Sequence, residues 1–225
     1  MSKEKTVSEA ISYRRSVRIF DPEKEIDTNI VKECIEQAAL APNSSNMQLW
    51  EFYHITSKDL IQKITPFCFN QNAAKTAQQM VVFVTRKDLW KKRANANLKM
   101  LDSIFTPKPK SEWSNREKVG RNYYGKIIPF AYGEFLGLYG WLKYIMILIT
   151  GLFRPIYREV RARDMRVVVH KSCALAAENF MISMAAKGYD TCPMEGSDTW
   201  RVKKALGLPR GSEINMIISC GVRKP

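Results

Sequence analysis

Histidine is scarce in this 225-residue chain, which holds only His54 and His170. A histidine-built metal centre is therefore not expected. The five cysteines, at positions 34, 68, 173, 192 and 220, include no Cys-x-x-Cys pair, and Cys34 and Cys173 fall in helical patterns. This usage suits reduced, buried thiols in a cytoplasm better than a disulfide frame. The amino end, Met1-Ser2-Lys3-Glu4-Lys5, has no apolar signal core, so export is not expected. Zinc-finger spacing, a basic region on a heptad and a recognisable RNA-binding motif are also missing.

Acidic residues are few relative to basic ones. The chain has 22 Asp and Glu against 36 Lys and Arg, a formal net charge of +14. Such a balance raises nucleic acid as a partner, but without a binding motif no nucleic acid is expected. Anionic cofactors or an anionic membrane surface are the remaining partners. Hydrophobic content of 45% and charged content of 26% describe a globular chain large enough for one well-buried domain.

Three stretches carry chemistry. The first is Arg14-Arg15-Ser16-Val17-Arg18, with three guanidiniums and a hydroxyl in five residues. Guanidinium forks match phosphate oxygens two at a time, and Ser16 adds a donor. A solvated basic turn is the alternative. The second is Ala41-Pro42-Asn43-Ser44-Ser45-Asn46-Met47-Gln48, which sets small hydroxyls and amides behind a proline. These groups suit a sugar-like chain and the edge of a polar ring, or simply a turn after a helix. The third is Gly188-Tyr189-Asp190-Thr191-Cys192-Pro193-Met194-Glu195-Gly196. Its terminal glycine permits close approach to the backbone, or caps the next helix.

In this order the three stretches resemble the nitroreductase family of flavin mononucleotide (FMN) enzymes, over roughly residues 1–80 and again from about Asp164 onward. The resemblance implies an α+β fold over a single domain, 1–225, with a mainly antiparallel central sheet flanked by helices. A variable lid or insertion is expected at about 87–163. It implies a homodimer with FMN at the subunit interface, NADH or NADPH as donor, and a flat conjugated acceptor such as a nitroaromatic or quinone, reduced by a ping-pong mechanism. It assigns Arg14, Arg15, Ser16 and Arg18 to the phosphate. Pro42, Asn43, Ser44, Asn46 and Gln48 line the ribityl chain and ring, and Asn70 or Gln71 meets the pyrimidine edge. Pro193, Met194, Glu195 and Gly196 form the turn beside N5. Many members supply a basic residue to the phosphate from a carboxyl-terminal tail, and here Arg223 is the only arginine near that end. FMN carries the redox chemistry, so no side chain is named as a catalytic acid or base. Rivals are a reductive dehalogenase or flavin-consuming enzyme of the same superfamily, and a non-catalytic flavin-binding protein at a membrane.

Local signals predict the elements. Helices are expected over Val7–Tyr13, from an N-cap at Asp27 toward Pro42, over Lys58–Ile64, from about Val167 to a cap at Gly188, and from an N-cap at Asp198 to Leu206. Strands are expected at Trp50–Ile55, at Met80–Val84 as a buried central strand, and at Ile214–Gly221. Residues 107–118 read as a mobile polar loop. The run 135–153 is apolar apart from Lys143 and Thr150, and arginines follow at 154, 158, 161, 163 and 166. Three readings stay open for it: a membrane span, a membrane-surface anchor through 135–166, or a lid or dimer-interface helix.

Overall fold

The computed structural model describes residues 4–105, 108–134 and 138–224. The chain divides into two compact units. One comprises residues 1–43, 50–86 and 170–225, and the other 44–49 and 87–169.

In chain order the first unit opens with α1 (Val7–Tyr13) and α2 (Thr28–Ala38). Helix α1 starts on a reciprocal capping box between Thr6 and Glu9. The Asp27 side chain caps α2 by accepting from the Asn29 N–H at 2.8 Å. Helix α2 buries Val31, Cys34 and Ala38, the helical spacing seen in the sequence. It ends at Ala38, short of Pro42. Then come β1 (Trp50–Ile55), α3 (Lys58–Ile64), α4 (Asn72–Lys75) and β2 (Gln79–Thr85).

The second unit holds α5 (Trp90–Ile104), α6 (Asn115–Asn122), α7 (Ile128–Tyr132) and α8 (Leu138–Thr150). The expected loop at 107–118 is corrected in part. Lys110–Glu112 forms a 3₁₀ turn, and Ser114 caps α6 by accepting from the Glu117 N–H at 3.2 Å. A serine followed three residues later by a glutamate is a helix-start signal, hidden here among charged neighbours. Pro107 lies outside the described residues, as do 135–137 of the apolar run. No helix of the described residues is long and apolar enough to cross a membrane.

Helix α9 (Ala162–Ala186) begins in the second unit and ends in the first. Gly188 follows it at φ +84°, a left-handed cap that side chains resist. The first unit closes with β3 (Asp190–Met194), α10 (Thr199–Ala205) and β4 (Glu213–Gly221).

The four strands form one antiparallel sheet in the order β1-β2-β4-β3. Residues of β2 alternate between two cores. Val81 and Phe83 join Cys34 of α2 and Phe180 and Met184 of α9, whereas Met80, Val82 and Val84 join Ile61 of α3, Ala73 of α4 and Val202 of α10. Helices thus cover both faces, which explains why β2 is apolar at nearly every position. The rings of Phe52, Phe83 and Phe180 meet in series, at centroid distances of 4.8 and 5.6 Å. At the end of β4 a side chain on Gly221 would strike the Phe20 ring at 2.7 Å, so only glycine admits that contact. All five cysteines are free and buried. Burial pushes the Cys34 and Cys173 thiols up to about 12, far from a reactive thiolate.

His54 is a strand histidine. Its Nε2 lies 2.6 Å from Gln79 Oε1, and the Gln79 amide donates to the Ile26 carbonyl and the Thr28 hydroxyl. Burial holds the His54 pKa below its ordinary 6.5. The unfolded chain therefore binds this proton more readily than the folded one. Stability is present above the unfolded value and lost as pH falls below it. A urea titration repeated between about pH 7 and pH 5 should show the midpoint fall with acidity, and His54→Asn should flatten that part of the profile.

Candidate functional site

Helix α1 ends at Tyr13, and Arg14 leaves it in an extended conformation, φ −56° and ψ 128°. The chain then runs along the open edge of β3. Ser16 forms an isolated parallel bridge with Thr191, and the Val17 N–H donates to the Thr191 carbonyl at 3.1 Å. The basic segment is thereby fixed beside the strand that leads into Glu195-Gly196. Arg14 is half-buried, while Arg15, Ser16 and Arg18 are exposed. The Arg15 guanidinium turns back to its own backbone, donating to the Ser12 and Arg14 carbonyls at 2.7 and 2.8 Å.

Pro193 lies in β3, the edge strand, where its missing N–H costs no ladder bond on the open side. After Met194 the chain turns through exposed Glu195 and Gly196. The Asp198 N–H donates to the Phe67 carbonyl at 2.7 Å, and the Asp198 side chain caps α10 by accepting from the Arg201 N–H at 3.0 Å. The neighbouring Phe69 and Asn70 are both left-handed, at φ 56° and 53°. Such conformations cost about 1–3 kcal/mol each and persist only where surroundings enforce them. Here they deliver Gln71.

Gln71 joins the separate segments. Its Nε2 donates to the Gly196 carbonyl at 3.0 Å, and its Oε1 accepts from Arg18 Nη1 at 3.4 Å. Residues 18, 71 and 196 thus meet through one amide. A Cβ on Gly196 would meet nothing nearer than Gln71 Nε2 at 3.9 Å, so internal packing does not demand glycine there. The omission leaves the backbone open to a ligand. Two hydroxyls nearby, Thr191 Oγ1 and Ser197 Oγ, are buried without a hydrogen-bond partner among the described residues. Buried polar atoms left in that state point to an external partner. Burial raises the Cys192 thiol, against the opposing pull of the Arg18 charge.

Arg223 is engaged from inside the protein. Its backbone N–H donates to Asp190 Oδ2 at 2.7 Å, its Nε to Asp190 Oδ1 at 2.9 Å, and its Nη2 to the Tyr13 carbonyl at 3.1 Å. Its guanidinium also lies over the Tyr13 ring, 4.3 Å from the centroid. Asp190 is 2% exposed, so the pair ties the carboxyl end to α1 and β3. The Asp190 hydrogen bonds hold the Arg223 pKa above its ordinary value. Any phosphate contact from Arg223 would be additional to this role.

Pro42 and Asn43 belong to the first unit; Ser44, Asn46 and Gln48 belong to the second. Asn43 Nδ2 donates to the Ala41 carbonyl at 3.4 Å. Three residues of the loop, Ser45, Asn46 and Gln48, are left-handed, at φ 57°, 47° and 46°. Tyrosines hold this strain: Tyr123 OH lies 2.6 Å from Ser45 Oγ, and Tyr124 OH donates to the Ser45 carbonyl at 3.1 Å. Asn97 Nδ2 donates to the Asn46 carbonyl at 3.1 Å. The tyrosines sit on a π-helical turn, Tyr123–Ile127, a feature frequent at functional sites. Sequence reasoning missed these supports, because only the adjacent Tyr123-Tyr124 pair hinted at them.

The profile of the Nitroreductase family matches residues 11–222. Protein DrgA of Synechocystis is 26% identical over 215 residues, covering 96% of this chain and 83% of the relative. A candidate nitroreductase of Exiguobacterium sibiricum, solved in complex with FMN, superposes with a TM-score of 0.70 at 21% identity, covering 100% of this chain and 91% of that one. A candidate NAD(P)H:FMN oxidoreductase of Staphylococcus epidermidis gives a TM-score of 0.71 at 20% identity, covering 100% and 90%. With a profile spanning nearly the whole chain and a fold shared along its length, this chain belongs to the Nitroreductase family.

Proposed function

We propose that this chain is an FMN-dependent oxidoreductase that takes reducing equivalents from NADH or NADPH and passes them to a flat conjugated acceptor, a nitroaromatic or a quinone. The observation that carries the reading is the Gln71 amide, which gathers Arg18 and Gly196 at one place. The residues present fit the cofactor. Arg14, Arg15, Ser16 and Arg18 offer guanidinium and hydroxyl donors for a phosphate. Gln71 and Asn70 offer amides for the pyrimidine edge, and the backbone at Glu195 and Gly196 is exposed for the ring. Asn43, Ser44, Asn46 and Gln48 are assigned to the ribityl chain and ring.

When bound, FMN supplies the two-electron chemistry, accepting hydride from the nicotinamide and delivering it to the second substrate in ping-pong order. The protein's part is to bind, orient and stabilise charge. Main-chain N–H groups at 195–196 and the Gln71 amide would hold the ring and stabilise the negative charge that grows on reduction, a role that needs no proton donor. The working form is a homodimer, consistent with the exposed apolar side chains of Val7 and Ile11 on α1 and of Leu40 after α2.

The purified protein should be yellow. Anaerobic addition of NADH or NADPH should bleach the flavin band, and initial rates with two substrates should give parallel double-reciprocal lines. A colourless protein that fails to take up added FMN would sink the proposal. A yellow protein not reduced by either nicotinamide would reduce it to flavin binding alone.

A further inference from the structure

Helix α8 has its apolar surface on the wrong side for a core helix. Gly140, Lys143 and Ile147 face inward and are buried. Trp141, Leu142, Met146 and Ile149 fall within about 140° of arc on the opposite side. They are 62%, 54%, 49% and 56% exposed. Leu152 and Phe153, in the turn that follows, are 80% and 84% exposed. Monomeric soluble proteins rarely leave so contiguous an apolar face in water.

The cation in the middle of this run does not interrupt that face. Lys143 is 2% exposed, and its Nζ donates to the carbonyls of Phe130, Ala131 and Gly133 at 3.1, 3.2 and 2.9 Å. Its charge is neutralised inside, beside Glu134 Oε1 at 3.3 Å. The outer surface is left apolar and aromatic.

Charge selects the occupant. Arg154, Arg158 and Arg163 follow the face and are exposed, with Glu159 as the one carboxylate between 151 and 163. Residues 87–169 hold 17 Lys and Arg against 7 Asp and Glu, ten of the fourteen net positive charges. A second copy seated on this face would set like charges against each other. An anionic surface would gain from both the apolar side chains and the arginines. Among the described residues, the 13 of α8 reach about 20 Å, short of the roughly 30 Å hydrocarbon core, so this helix fits a surface contact better than a span.

We propose that the outer face of α8, with the Leu152-Phe153 turn and its arginine flank, is a peripheral docking surface for an anionic phospholipid bilayer. The geometry behind it does not depend on the flavin assignment. The test is flotation of the full-length, flavin-loaded protein with phosphatidylcholine vesicles, with and without phosphatidylglycerol. The protein should float with the anionic vesicles and be released by added salt. Leu152→Ser/Phe153→Ser should lower the partition coefficient by about tenfold or more. Flavin content and reduction by nicotinamide should stay at the wild-type level, which keeps the result distinct from a failure of the oxidoreductase reading. A milder variant, Arg154→Gln/Arg158→Gln, should lose binding to anionic vesicles without affecting solubility. Protein that stays unbound with both vesicle types would overturn the proposal. So would equal flotation of the serine variant, or a serine variant that binds no less but shifts from dimer to monomer on gel filtration, which would give the face to a second copy.

Discussion

Replacing Arg14 and Arg18 together by alanine is expected to raise the dissociation constant for FMN by about a hundredfold or more. The two guanidiniums are charge-assisted donors, worth roughly 1.5–3 kcal/mol each when they meet an anion, with exposure favouring the low end. Arg18 is exposed and Arg14 half-buried, so neither holds up the core. Thermal stability of the apoprotein should therefore barely change. Arg15→Ala should cost less, because that guanidinium is turned onto the Ser12 and Arg14 carbonyls. Gln71→Ala belongs to the same series. It cuts the link from Arg18 to Gly196, and should weaken FMN binding while leaving α4 intact. Fluorescence titration of apoprotein with FMN measures all three variants. Unchanged affinity in the double variant would remove the basic segment from the phosphate role.

Lys143→Met is expected to have the largest effect on stability, roughly 3 kcal/mol. The ammonium closes the carboxyl end of α7, satisfying three carbonyls and facing Glu134. Methionine matches its length but donates nothing, so buried acceptors lose their partner, at about 1–3 kcal/mol for each one left unsatisfied. The aromatic shell would remain, since Phe130 and Tyr139 lie 5.8 and 4.9 Å from the ammonium. The loss should be local. Hydrogen exchange should accelerate in α7 and α8, while β2 and β4 in the other unit keep their protection. Loss of protection spread evenly over both units would contradict the local role assigned to Lys143.

The element boundaries that were legible rest on short-range signals. Asp27 and Asp198 each cap the helix expected of them, and Gly188 follows α9 in the left-handed conformation. The alternating burial of β2 between two cores is likewise written in its near-continuous apolar run. Strand β3 was not expected, because Pro193 argues against a strand unless it lies at an edge, and edge position is a property of the assembled sheet. Helix α6 was masked by its charges, since the Ser114–Glu117 signal competes with a polar stretch that otherwise reads as loop. For the site, the residue types in the three motifs were visible, but which of them meet was not. Gln71 and Asn70 were equivalent candidates until the left-handed pair at 69–70 brought the Gln71 amide to both Arg18 and Gly196.

Caps, periodicity and turn chemistry act over four or five residues, so composition and order alone were enough for helices α1, α2, α3, α9 and α10, for strands β1, β2 and β4, and for the family to which the chain belongs. The edge position of β3, the pairing of Arg223 with Asp190 and the inward turn of Lys143 were decided only by the fold. Each depends on which groups are buried together. Burial is set by packing between segments distant in sequence, where an unpaired charge or backbone group must find its partner or stay in water.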